Sequence, residues 1–166
     1  VRNDNYLGDF RKRLLTSLYF TLKSIHQIDA VDKVKLCLVD WNSDIPLSDE
    51  LVLPEEARNI VSFINVSPEI AGSYCTKERP MNAEVAVNVG LRRSSAEFVG
   101  ILPADTFMSA AALDNMISFL ENPAKHGQNI DIEHGLILIR KKWVPWQYFE
   151  REYTLEELES YLIRSS

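Results

Sequence analysis

Val34-Lys35-Leu36-Cys37-Leu38-Val39, followed at once by Asp40-Trp41-Asn42-Ser43-Asp44, is the stretch on which the fold turns. A short, nearly continuous apolar run rich in β-prone residues predicts a strand, and the abrupt change to polar residues predicts a loop at its carboxyl end. Upstream, Asp9 is placed to cap a helix, with Phe10, Leu14, Leu15, Leu18, Leu22 and Ile25 at 3.6-residue spacing. Downstream, Ile60-Val61-Ser62-Phe63-Ile64-Asn65-Val66 predicts a second strand, followed by Ser67-Pro68 and a loop-like segment to Pro80. Residues 82–93 predict a helix and residues 97–102 another buried strand, halted by Pro103-Ala104-Asp105. Ser109 is placed to cap a helix that turns Leu113, Met116, Ile117 and Leu120 inward and ends before Asn122-Pro123. A last strand is expected at 136–139, and Thr154-Leu155-Glu156-Glu157 has the form of a capping box. Strands alternating with helices predict an α/β fold, with a largely parallel sheet and helices on both faces.

Composition narrows the function classes. At 166 residues the chain fits one domain, 1–166. Lys and Arg number 18 against 24 Asp and Glu, a formal charge of −6, and 46% of residues are hydrophobic. This is globular composition, which excludes disorder as the main state. A mildly acidic chain without long basic runs lacks the footprint of phosphate-backbone binding, so no nucleic-acid partner is expected. No apolar stretch approaches the ~18–20 residues that span a bilayer, so no integral membrane segment is expected. With no signal peptide at its start and two cysteines read as free thiols in a reducing compartment, the chain is expected to be cytoplasmic.

In open α/β sheets, ligands bind outside the carboxyl ends of the strands. That rule selects three places. They are Arg2-Asn3-Asp4, taking Val1 as the last residue of a strand, then Asp40-Trp41-Asn42, and Asp105 after the run at 97–102. Acidic and amide side chains on one edge suit a polar ligand carrying hydroxyls, an imide edge or a metal-bound phosphate. Six glycines form neither G-x-G-x-x-G nor a P-loop, which excludes those dinucleotide and ATP cradles. C-x-x-C, H-E-x-x-H and G-x-S-x-G are likewise missing from the sequence. Asp131-Ile132-Glu133-His134 gathers ligand-type residues, with His134 as a candidate metal ligand set against a solvated loop.

Arg92-Arg93-Ser94-Ser95-Ala96-Glu97-Phe98-Val99-Gly100-Ile101-Leu102-Pro103-Ala104-Asp105, preceded by Pro80-Met81-Asn82 and Asn88-Val89-Gly90, resembles family 2 glycosyltransferases of the GT-A fold. Val1-Arg2-Asn3-Asp4-Asn5-Tyr6 looks like that family's first strand end, and Leu38-Val39-Asp40-Trp41-Asn42-Ser43-Asp44 like its second strand with the nucleotide-binding aspartate. These segments come in the family's order over residues 1–120, the donor-nucleotide half, and 121–166 diverge. The resemblance implies a Rossmann-like sheet, a nucleotide-diphosphate sugar as donor, a divalent metal (manganese or magnesium), and transfer of the sugar to the hydroxyl of a glycan or other acceptor. Asp40 would accept from the base's imide edge, Asn3 and Asp4 would lie near the nucleoside, Asn88 would belong to the donor site, and Asp105 would be the second acid of a D-x-D-like metal motif.

Two departures from the pattern bear on activity. Pro103 stands at the first acid of the metal motif, and the family's catalytic base has no clear match, which leaves Asp131 and Glu133 as candidates. They motivate a rival from another class, a degenerate or truncated module that binds a nucleotide or a partner protein without catalysis. Individual residues also have ordinary structural readings. An acid after a strand, such as Asp40 or Asp105, commonly caps a helix or makes an Asx-turn. Trp41 either stacks on a base or packs, and Arg92 and Arg93 either meet a diphosphate or form a solvated face. The aromatic run around Trp143, Trp146, Tyr148 and Phe149 either packs on the sheet or docks on an acceptor or a second copy of the chain.

Overall fold

The computed structural model describes residues 1–4 and 8–126. The expected strand at 136–139, the capping box at 154–157, the aromatic run, and Asp131, Glu133 and His134 lie outside the described residues. The described residues fall into two compact units, one drawn from 1–18 and 30–107, the other from 19–29 and 108–126.

In the first unit the sheet is small. Strands β1 (Leu36–Trp41) and β2 (Val61–Val66) pair in parallel, with Leu36 opposite Val61 and Trp41 opposite Val66. On the other edge of β1, the Val1 nitrogen donates to the Val39 carbonyl at 2.8 Å and the Trp41 N–H donates to the Val1 carbonyl at 2.7 Å. This is the bridging pattern of a parallel ladder, so Val1 stands beside Asp40 as a strand residue would. The chain is thus a mixed helix and strand structure with an open parallel sheet, as an α/β reading requires at this coarse level.

β1 runs two residues further than its apolar run. Asp40 and Trp41 belong to the strand, and the turn begins at Asn42, whose φ of 50° is a left-handed conformation that asparagine tolerates. Between the strands lie α2 (Leu47–Glu50) and a 3₁₀ turn at Glu55–Ala57. Within the segment expected to be loop up to Pro80, a short helix α3 (Pro68–Gly72) forms, Pro68 taking a first-turn position where its missing N–H costs nothing. The Ser67 hydroxyl bonds the Glu69 carboxylate and holds its pKa below the ordinary value. A depressed carboxyl pKa adds stability above the unfolded pKa that is lost as pH falls through the folded one. Ser67→Ala is therefore expected to move the Glu69 midpoint upward in an NMR titration; an unchanged midpoint counts against this contact.

Helix α4 (Ala83–Arg93) packs on β1. Asn82 caps it by accepting the Val85 N–H at 3.1 Å, and Arg92 and Arg93 fall in its last turn, where the helix dipole favours cations. The core between helix and sheet is Trp41, Val66, Ala71 and Ala86, with Val39, Cys75, Val85 and Val89 packed against it. Gly90 makes the close approach possible, since a Cβ there would lie 3.2 Å from Val39 Cγ2. Val39 is β-branched and stiff about χ1, so it has little room to yield. Gly90→Val is expected to lower stability by about 1–3 kcal/mol in urea unfolding, and an unchanged midpoint would mean that α4 shifts freely on the strand.

One predicted strand is not formed. Residues 97–102 are irregular, with Phe98, Val99, Ile101 and Leu102 exposed, Ile101 to 65%. An extended segment makes no hydrogen bonds of its own, so β propensity becomes a strand only beside a partner edge. Among the described residues the edge of β1 away from β2 carries Val1 alone, and residues 97–102 join neither strand.

Helix α1 (Phe10–Gln27) starts where the sequence predicts, although Asp9 has a φ of 48°, unlike the extended backbone of an ordinary N-cap. Phe10, Leu14, Leu18, Leu22 and Ile25 are buried as expected, whereas Leu15 and His26 are exposed. The second unit takes the later turns of α1 from Tyr19 and helix α5 (Ala110–Glu121). Ser109 caps α5 as predicted, accepting the Ala112 N–H at 3.3 Å, and Leu113 is buried. The Thr21 hydroxyl accepts the Met108 N–H at 3.3 Å, which ties the segment before α5 to α1. Among the described residues no helix is long and apolar enough to cross a membrane.

Candidate functional site

The site is built at the carboxyl end of β1, in the first unit. Asp40 is 2% exposed, and a buried carboxylate must be hydrogen-bonded or it destabilises the fold. Its Oδ2 accepts the Leu47 N–H at 2.7 Å, at the first residue of α2, and its Oδ1 accepts the Ser43 hydroxyl. Asp40 thus folds the 42–46 turn back onto the strand end.

Ser43 passes the constraint on, since its Oγ accepts the Asn3 N–H at 2.7 Å. The Asn3 side-chain amide donates to the Ile45 carbonyl at 3.1 Å and to the Glu50 carboxylate. Glu50 also pairs with Arg11 at 2.7 Å, and the same Arg11 nitrogen lies 3.4 Å from the Asn3 Oδ1. Arg2 pairs with Asp4 at 3.4 Å and donates to the Pro80 carbonyl at 3.1 Å. Asn3, the loop after β1, α2 and the start of α1 therefore share one polar network, beside which lies the Arg2–Asp4 pair. Beside it opens a cavity of about 370 Å³ lined by Asn3, Asp4, Asp9, Arg11 and Lys12.

Of the residues singled out in the sequence, Asn3 and Asp40 come together here through Ser43, and Arg2 and Asp4, on either side of Asn3, pair with each other. Asn42 closes the end of the sheet, its N–H donating to the Val66 carbonyl at 3.0 Å. Asn88 is exposed on α4, and Asp105 is exposed in a turn closed by the Thr106 N–H on the Pro103 carbonyl at 3.0 Å. No hydrogen bond or ion pair among the described residues joins either of them to the network. Trp41 packs rather than stacking on a ligand: it is wholly buried, and its indole N–H donates to Cys75 Sγ at 3.0 Å.

Glu50 and Arg11 are site residues that the motifs do not flag, and Ser43 stands within the quoted 38–44 stretch without a role assigned to it. Glu50 lies 47 positions from Asn3 in a short helix without a pattern of its own, so its pairing is a product of the tertiary fold. As for a divalent cation, Asp105 offers one exposed carboxylate and Pro103 no side-chain donor. Among the described residues no group of three or more His, Cys, Asp or Glu side chains could hold a metal ion.

Comparison of the chain with protein-family models, with curated proteins and with solved structures finds no match.

Proposed function

We propose that the chain is a glycosyltransferase of the GT-A kind, which binds a nucleotide-diphosphate sugar and passes the sugar to an acceptor hydroxyl. The observation that carries this reading is the link from Asn3 through Ser43 to Asp40, with the Arg2–Asp4 pair beside it, where parallel strands end, the place at which open α/β sheets take their ligands. These residues also carry the resemblance to the family. The cavity beside them has an amide and side chains of both charges on its wall, as a ligand of hydroxyls and hydrogen-bonding base edges requires. In this reading Asn3 and Asp4 meet the nucleoside. Asp40 works from behind, fixing Ser43 and through it the Asn3 backbone.

A second reading, a module that binds nucleotide or a partner protein without catalysis, is favoured by two observations. Both Asp40 oxygens are engaged inside the protein, and Pro103 and the exposed Asp105 make no cation pair. Metal dependence is decided by the test.

That test is a thermal-shift panel of nucleotide diphosphates, UDP-sugars and GDP-sugars, each with manganese and with chelator. A ligand at a hundredfold its Kd stabilises the native state by about 2.7 kcal/mol, or about 5–10 °C for a chain of this size. A manganese-dependent shift that Asp105→Asn abolishes supports the transferase. A shift that ignores manganese and survives that substitution supports the non-catalytic module. A panel with no shift overturns nucleotide binding in either form.

A further inference from the structure

We draw no further inference here: the strongest candidate, the exposed apolar run of Phe98, Val99, Ile101 and Leu102 between α4 and α5, carries nothing because nothing in the structure shows what covers it.

Discussion

Trp41→Ala is expected to lower the stability of the chain by about 3–5 kcal/mol, the range for truncating a large buried aromatic side chain. Trp41 is completely buried and is the largest member of the core formed with Val66, Ala71 and Ala86. These neighbours are small or on a sheet, so they are poorly placed to collapse into the space left behind. A cavity that cannot close keeps the full cost of its lost contacts. Trp41→Phe separates the contributions: it keeps most of the apolar volume but leaves Cys75 without its indole donor, and should cost about 1–2 kcal/mol. Urea unfolding followed by circular dichroism measures both. Loss below about 1 kcal/mol for the alanine variant would mean that Trp41 is not the centre of this core.

The behaviour of Trp41 also shows what a single sequence reveals. Helical spacing, caps and the stop after an apolar run are local patterns, and they place α1, α4, α5 and the two strands within a residue or two. Asn82 and Ser109 act at the helix starts as their positions suggest. What sequence does not contain is the partner. Residues 97–102 have the composition of a strand, yet they pair with neither β1 nor β2, remain irregular and expose their apolar side chains. Asp40 is legible as important because it follows an apolar run. Its actual partners, Ser43 and the Leu47 N–H, depend on how the next loop turns back. The Asn3, Glu50 and Arg11 cluster is assembled from three separate segments, and only the one with Asn3 carries a motif.

Asp40→Ala is expected to cost about 3 kcal/mol, because it strands a buried backbone N–H at Leu47 and removes the acceptor of the Ser43 hydroxyl, each a hydrogen bond to a charged group. Removing the carboxylate also relieves its own desolvation, so the loss stays below the sum of two charged hydrogen bonds. Asp40→Asn keeps the shape and one oxygen for Leu47 while offering an N–H toward Ser43, and should cost about 1–2 kcal/mol. Ser43→Ala removes the link to Asn3 and leaves the Leu47 bond in place. These variants also settle how Asp40 serves the proposed nucleotide. If it acts by holding Ser43 and Asn3, Asp40→Asn and Ser43→Ala both reduce the nucleotide-induced thermal shift, each measured against its own unliganded form. A shift lost in Asp40→Asn but intact in Ser43→Ala would instead put the carboxylate in contact with the base. That contact would require it to leave the Leu47 N–H or the Ser43 hydroxyl when ligand binds. Since both oxygens are engaged inside a nearly inaccessible pocket, the first outcome is the one expected.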